Sequence, residues 1–156
     1  MRGAGPTTGP LALLPVSSSP DIGPLRESEL GRLFGLAKTV FADASGWNDR
    51  RVLDALERDV VFVAHEQDEV AGYVALFVPD REHMIAEQVF VAPGHERRGI
   101  GRGLLAYAEG YAIAEHARVL DIVVERDNWR ARAFYGRLGF VPVQAELVEL
   151  VLPRAE

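Results

Sequence analysis

Apolar residues recur with two different patterns along this chain, and each pattern predicts a type of secondary structure. Over residues 25–41 they return every three or four positions, which predicts a first helix. A second helix is expected after Asn48, whose side chain can cap it, with an inner face made of Val52, Leu53 and Leu56. Ahead of the helices, residues 1–9 predict a mobile tail, residues 11–16 an edge strand and residues 17–24 a loop.

The middle of the chain changes to short segments rich in β-branched residues. Residues 60–65, 70–78 and 84–91 are separated by polar turns, which predicts an antiparallel meander. A helical stripe made of Ile100, Leu104, Ala108 and Ala112 then leads to residues 119–124, whose continuous apolar run is typical of a buried parallel strand. A last helix is expected between a cap at Asn128 and Gly139, followed by a terminal pair of strands at 140–143 and 147–152.

This order of elements predicts one α/β domain over residues 10–156. We expect a mixed, mostly antiparallel sheet of about six or seven strands with about four helices around it. No repeat or second domain is visible, and 156 residues suit a single domain with a real core. A strand–helix–strand unit in such a sheet implies a right-handed crossover, and ligands bind such sheets where strands end beside helix N-termini.

Composition narrows the class of partner. The net charge of −6 argues against a nucleic-acid binder and mildly favours a cationic small molecule. The chain has no cysteine, which removes disulfides and thiol nucleophiles and makes the cytoplasm the default location. No apolar run reaches the length needed to span a membrane, so no membrane partner is expected. The four histidines lack metal-ligand spacing, and no metal is expected.

The segment with the clearest chemistry is the glycine turn after the third meander strand. A glycine turn before a helix presents free backbone N–H groups and the positive end of the helix dipole, which together can bind a phosphate. A Walker loop is excluded because Arg102 and Gly103 stand where it needs Lys and Ser or Thr, and Leu104 breaks the dinucleotide fingerprint. On this spacing alone, a phosphate site and an ordinary strand-to-helix turn both fit.

Two motifs together resemble those of the GNAT superfamily of acyl-CoA-dependent N-acyltransferases. The family's cofactor motif, Q/R-x-x-G-x-G/A, is matched by residues 96–101, with Glu96 at its first position. A carboxylate there would be repelled by a pyrophosphate unless it points outward or pairs with Arg97 or Arg98. The second motif, N-x-x-A-x-x-x-Y-x-x-x-G-F, is matched in full at Asn128, Ala131, Tyr135, Gly139 and Phe140. The resemblance covers residues 60–152, and the first 60 residues fit only in pattern.

The resemblance implies that acetyl-CoA is the co-substrate. Its pyrophosphate is then expected on the backbone N–H groups of the turn, and its pantetheine arm beside the end of the third meander strand. Val91 is the expected donor to the acyl oxygen, and Asn128 is expected to contact the cofactor arm as well as to cap its helix. The residues expected at the cofactor are Val89, Phe90, Val91, Arg97, Arg98, Gly99, Ile100, Gly101, Arg102 and Asn128.

Two residues are the candidates for proton transfer. The family resemblance makes Tyr135 the general acid for the leaving thiolate, although a core tyrosine would show the same spacing. Glu87 is the candidate general base; strict alternation places it on one face with Val89 and Val91, and burial would raise its pKa. A solvent-facing glutamate is the alternative. Trp47, between the first two helices, is expected either to wall the acceptor pocket or to pack into the core.

These expectations describe an N-acetyltransferase that moves acetyl from acetyl-CoA to a primary amine of a small, cationic molecule by direct attack. Three alternatives stay open: an enzyme acting on a protein or peptide amine, a non-catalytic acyl-CoA-binding regulatory module, and a nucleotide-binding domain. Dimers are common in the superfamily, so a homodimer is one expected state.

Overall fold

The computed structural model describes residues 20–41 and 48–143 of the chain. Within them, five strands form one sheet in sequence order: β1 (Asp21–Pro24), β2 (Val60–Glu66), β3 (Glu69–Asp80), β4 (His83–Val91) and β5 (Val119–Ile122). The first four strands run antiparallel to their neighbours, whereas β5 runs parallel to β4. The predicted meander and the predicted parallel strand are therefore both present, in a mixed α/β fold.

The described part of the chain also contains four α-helices: α1 (Leu30–Phe41), α2 (Asp49–Arg58), α3 (Ile100–Ala114) and α4 (Trp129–Arg137). A 3-10 turn at Glu27–Glu29 precedes α1. The cap predicted at Asn48 is confirmed, since its Oδ1 accepts the backbone N–H of Arg51 at 2.9 Å. The cap predicted at Asn128 is confirmed as well, with the N–H of Ala131 at 3.2 Å. None of the helices in the described ranges is long and apolar enough to cross a membrane.

The helices bury the two faces of the sheet separately. On one face, which we call the α1/α2 face, Leu33 and Leu56 pack against sheet residues that include Tyr73 and Phe90. On the opposite α3 face, helix α3 contributes its predicted stripe of Ile100, Leu104, Ala108 and Ala112. Alternate residues of β2 belong to opposite faces, as an extended strand requires. The sheet is therefore the middle layer of three.

A β-bulge in β4 changes which face its side chains reach. Ala75 of β3 lies opposite Gln88 while Leu76 lies opposite Ala86, so Glu87 is an extra residue without a partner on β3. As a result Met84 and Ala86 pack on the α3 face, whereas Phe90 packs on the α1/α2 face. In an unbroken strand these even-numbered positions would all face the same way.

The bulge overturns one prediction about Glu87. Val89 and Val91 pack on the α3 face, but the carboxylate of Glu87 is held by Arg58, the last residue of α2. The expectation that Glu87 shares a face with Val89 and Val91 is therefore wrong, because it assumed unbroken alternation.

The ends of the sheet also differ from prediction. The first described strand lies inside residues 17–24, which were expected to be a loop, and Asp21 pairs with His65 of β2. Residues 140–143 are described but form no strand. Strand β5 pairs only with β4 in the described sheet, and Val119 is 49% exposed rather than buried. The predicted tail at 1–9 and the predicted strands at 11–16 and 147–152 lie outside the described residues.

Candidate active site

The turn between β4 and α3 is held in an unusual backbone conformation. Gly94, Arg97 and Gly99 have positive φ angles of 89°, 64° and 79°. Gly99 is the N-cap of α3, and as a glycine it offers no side-chain acceptor to the helix. The first N–H groups of α3 therefore point out of the helix without a cap, at the positive end of its dipole. An anion placed there would supply the missing acceptors.

Glu96, the unusual residue of this turn, folds back onto the turn itself. Its Oε1 accepts the backbone N–H of Gly94 at 2.8 Å. Hydrogen bonds from its own backbone N–H and from that of Gly94 lower the pKa of its carboxyl. In the described structure the carboxylate is thus used by the turn rather than by Arg97 or Arg98. The departure from the family motif has a local structural role.

The turn is fastened to the end of β2 through Glu66. The Oε1 atom of Glu66 lies 2.7 Å from Nδ1 of His95 and 3.5 Å from Nη1 of Arg98. His95 also lies 3.5 Å from Glu69 through its Nε2. Arg98 remains 58% exposed at its side chain, so it can still turn toward a ligand. Sequence reasoning missed Glu66 and His95 because no local spacing relates them.

Among the described residues, none pairs with the outer edge of β4 where the turn begins. Pairing of β4 with β5 ends as Val123 donates its N–H to the carbonyl of Ala86 at 3.1 Å. Further along, Ala92 donates its N–H to Ala71 of β3 at 2.8 Å. Because amides alternate along a strand, the N–H groups of Val91 and Val89 point to the other edge, where β5 has ended. An extended ligand could pair with these two groups.

Phe90, expected beside the ligand with Val89 and Val91, has a different environment. By the same alternation its backbone faces β3, and its carbonyl oxygen lies close against Gly72. Its ring is 2% exposed and lies 5.5 Å, between centroids, from the ring of Tyr73. Its contribution is to the α1/α2 core.

Three elements meet at Gly101. A Cβ atom built there would lie 3.7 Å from Cγ2 of Val91 and 3.8 Å from Cζ of Phe134. The end of β4, the first turn of α3 and helix α4 are thus in contact. Tyr135, the next residue of α4, is partly buried, and burial raises the pKa of its hydroxyl. It therefore keeps its proton at neutral pH, as a general acid must.

On the α1/α2 face, Glu87 lies in a small group of charges at the end of α2. Its Oε1 contacts Nη2 of Arg58. The Nε of Arg58 donates to Oδ1 of Asp59 at 2.8 Å, and its guanidinium lies 4.5 Å from the ring centroid of Phe77. Burial raises the pKa of Glu87 to about 7; Asp59 adds to the rise and Arg58 opposes it. A carboxylate that titrates near neutral pH is suited to accept a proton from an amine.

Two buried side-chain atoms lack a hydrogen-bond partner among the described residues: Oδ2 of Asp59 and Nε2 of Gln88. The first belongs to the residue that shares Arg58 with Glu87, and the second belongs to the neighbour of Glu87 in the strand. The other end of the Gln88 amide is paired, since Oε1 accepts the hydroxyl of Tyr73. Sequence reasoning missed Arg58 and Asp59, because Arg58 is separated by 29 residues from Glu87 and only the fold joins them.

The remaining predicted site residues lie at the start of α3, at the start of α4 or outside the described residues. Arg97 and Arg102 are exposed around the first turn of α3, and Ile100 is 1% exposed in the α3 core, so only its backbone is available to a ligand. Asn128 caps α4, and its contact with a cofactor stays a prediction. Trp47 lies outside the described residues.

Comparison with known proteins gives one family. The sequence profile described as the Acetyltransferase (GNAT) family matches residues 30–140. An "uncharacterized N-acetyltransferase" of Archaeoglobus fulgidus is 34% identical over 85 residues, which are 51% of this chain and 58% of that protein. Streptothricin acetyltransferase of Streptomyces lavendulae is 35% identical over 88 residues, 56% of this chain and 46% of the relative. The matches thus span about half the length of these relatives.

A solved structure extends the likeness to the fold. The aminoglycoside N-acetyltransferase AAC(6')-Iy, in complex with CoA, superposes with a TM-score of 0.70. The match covers 89% of this chain and 99% of the other, at 20% sequence identity. The mixed sheet and its helices are therefore those of this structural class.

Proposed function

Since the chain belongs to the GNAT family of acetyltransferases, we propose that it is an acetyl-CoA-dependent N-acetyltransferase that acts on a primary amine of a small, cationic molecule. One observation carries the proposal. Glu87, whose pKa is raised to about 7, lies in the strand whose free edge leads directly to the uncapped start of α3. A base and an anion-binding turn on one strand are what amine acetylation requires.

The described residues fit acetyl-CoA. The uncapped N–H groups at the start of α3 suit its pyrophosphate, which would lie along the backbone from Arg97 to Arg102. The N–H groups of Val89 and Val91 suit the amide and carbonyl oxygens of the extended arm, and Val91 is the proposed donor to the acyl oxygen. When bound, acetyl-CoA supplies an activated acyl group and a thiol leaving group.

The side chains divide the proton transfers between them. Glu87 takes one proton from the ammonium group of the acceptor, which leaves a nitrogen lone pair able to attack the acyl carbon. Tyr135 gives its proton to the sulfur as the carbon–sulfur bond breaks, and regains a proton from the nitrogen. The products are an amide and a free thiol, and the proton on Glu87 is returned to solvent.

Three features favour a small cationic acceptor. The chain carries a net charge of −6. The base belongs to a pair of carboxylates, Glu87 and Asp59, against one arginine, so an ammonium group near them is attracted. Streptothricin acetyltransferase and an aminoglycoside acetyltransferase are among the proteins this chain is similar to.

The test is a panel of amines assayed for thiol release from acetyl-CoA, with coenzyme A binding followed by calorimetry. We expect release with polyamines or aminoglycosides. We also expect Tyr135→Phe to lower kcat by about 10²-fold or more while the Kd for coenzyme A stays unchanged. Release only with peptides would refute the small-molecule acceptor, and coenzyme A binding without any release would indicate a non-catalytic module. No heat on adding coenzyme A would refute the proposal as a whole.

A further inference from the structure

Asp59 is a buried carboxylate in which one oxygen is hydrogen-bonded and the other has no partner among the described residues. It ends α2, where its backbone N–H donates to the carbonyl of Ala55 at 2.8 Å, and its side chain is 0% exposed. Oδ1 accepts from Nε of Arg58 at 2.8 Å, but Oδ2 has no partner within the described part of the chain. A buried acceptor without a donor is unfavourable, and native structures contain few of them.

Arg58 links Asp59 to the carboxyl of Glu87. Its Nε donates to Oδ1 of Asp59 and its Nη2 contacts Oε1 of Glu87, so one guanidinium holds the two carboxyl groups near each other. Asp59 also adds to the rise in the pKa of Glu87. Two ionised carboxylates have no hydrogen to share. A hydrogen bond between the carboxyl groups of Asp59 and Glu87 therefore forms only when one of them carries a proton. The proton that Glu87 would receive during the reaction is such a proton.

We propose that Asp59 is a positioning residue for the base: its idle Oδ2 accepts a hydrogen bond from Glu87 once Glu87 has taken the proton of the acceptor amine. This inference rests on the proposed role of Glu87. The N–H bond of the ammonium group breaks, an O–H bond forms on Glu87, and that O–H is directed at Oδ2. Asp59 thereby stabilises the protonated form of Glu87 and makes it a stronger base.

The charged groups around Glu87 support this division of roles. In the described ranges, the groups that act on it are Arg58 and Asp59, both from the end of α2, and they act in opposite directions. The residues of β3 on either side of the bulge, Ala75 and Leu76, carry no charge. The nearest acidic residue of β5, Asp121, lies opposite Ile85 and is held by His83 at 2.6 Å.

The test is an NMR titration of the Glu87 side-chain carboxyl in the full chain without ligands, assigned by its loss in Glu87→Gln. In the wild type we expect a midpoint near the value to which the site raises its pKa, about 7. Asp59→Asn keeps the shape but removes the charge and can donate to Glu87, so the midpoint should fall by about one pH unit or more. Arg58→Gln should move the midpoint the other way. Asp54→Asn, an exposed aspartate of the same helix, is the matched control and should leave it unchanged.

The pH profile of kcat/KM gives the second readout. Because Glu87 works in its ionised form, Asp59→Asn should shift the acidic side of the profile to lower pH and reduce the plateau. An unchanged Glu87 midpoint in Asp59→Asn overturns the inference. If Asp59→Asn does not fold, an Arg58→Gln midpoint that does not rise overturns it instead. A Glu87→Gln enzyme with the wild-type acidic side refutes Glu87 as the base, which is the separate failure of the proposed function.

Discussion

The charge group around Glu87 makes a prediction about stability that requires no substrate. Glu87→Gln keeps the size of the side chain but removes its titration. In the folded protein the pKa of Glu87 is raised from 4.5 to about 7, with burial as the largest cause. A raised pKa means that the folded state holds this proton more tightly than the unfolded state does. The stabilisation that this proton gives the folded state is therefore complete below the pKa of Glu87 in the unfolded chain, and it is lost as the pH rises through about 7.

The size of the effect follows from the two pKa values. The side chain of Glu87 is 22% exposed, so solvent screens the shift only in part. Between about pH 5 and pH 8 the wild type should lose roughly 2–3 kcal/mol relative to Glu87→Gln. For a chain of this length, that corresponds to a relative change in Tm of roughly 5–10 °C.

The assay is thermal unfolding of both proteins across that pH range, followed by circular dichroism. The quantity to plot is the Tm of Glu87→Gln minus the Tm of the wild type, which should increase with pH. Glu57→Gln, which removes an exposed carboxylate from helix α2, shows how much any surface change contributes. A difference that stays flat, or that decreases with pH, would refute the conclusion that the site destabilises the charged form of Glu87.

Three further changes test other parts of the structure. Gly99→Ala should destabilise the protein by about 1 kcal/mol, because φ is 79° there while the added Cβ meets nothing. The same change should weaken coenzyme A binding, and an unchanged Kd by calorimetry would contradict this. Gly72→Ala should lower the free energy of unfolding by about 2 kcal/mol or more, since its Cβ would lie 2.3 Å from the carbonyl oxygen of Phe90; a wild-type urea midpoint would contradict it. Tyr73→Phe removes the hydroxyl that Gln88 accepts, and urea denaturation should show a loss of about 1–3 kcal/mol.

Local signals in the sequence were sufficient for much of the fold. The caps at Asn48 and Asn128 depend only on a side chain and the backbone a few residues later, so they could be predicted. The meander could be predicted because its strands are short, apolar and joined by tight turns. The glycine turn before α3 could be placed for the same reason.

The predictions that failed depend on contacts between distant segments. Strand β1 was missed because the sequence of Asp21–Pro24 has little apolar alternation; its pairing with β2 makes it a strand. The bulge at Glu87 could not be predicted, because the adjacent polar residues Glu87 and Gln88 in an otherwise apolar segment do not by themselves indicate an extra residue in the strand. The partners of Glu87 on α2 could not be predicted, since chain spacing contains no information about which helix end covers which strand.

The bulge at Glu87 also divides strand β4 into a part that presents its backbone and a part that presents a side chain. Beyond it, β4 offers its backbone at the edge, and a ligand held there depends little on which side chains the strand carries. At the bulge itself the strand turns a carboxylate toward the layer built by α1 and α2. Under the proposed roles of Glu87 and the turn, acceptor preference would change by substitution in that helical layer, while the part of the site proposed for the nucleotide would stay as it is. The proposed binding of the acyl donor and the proposed choice of acceptor thus depend on different parts of one strand.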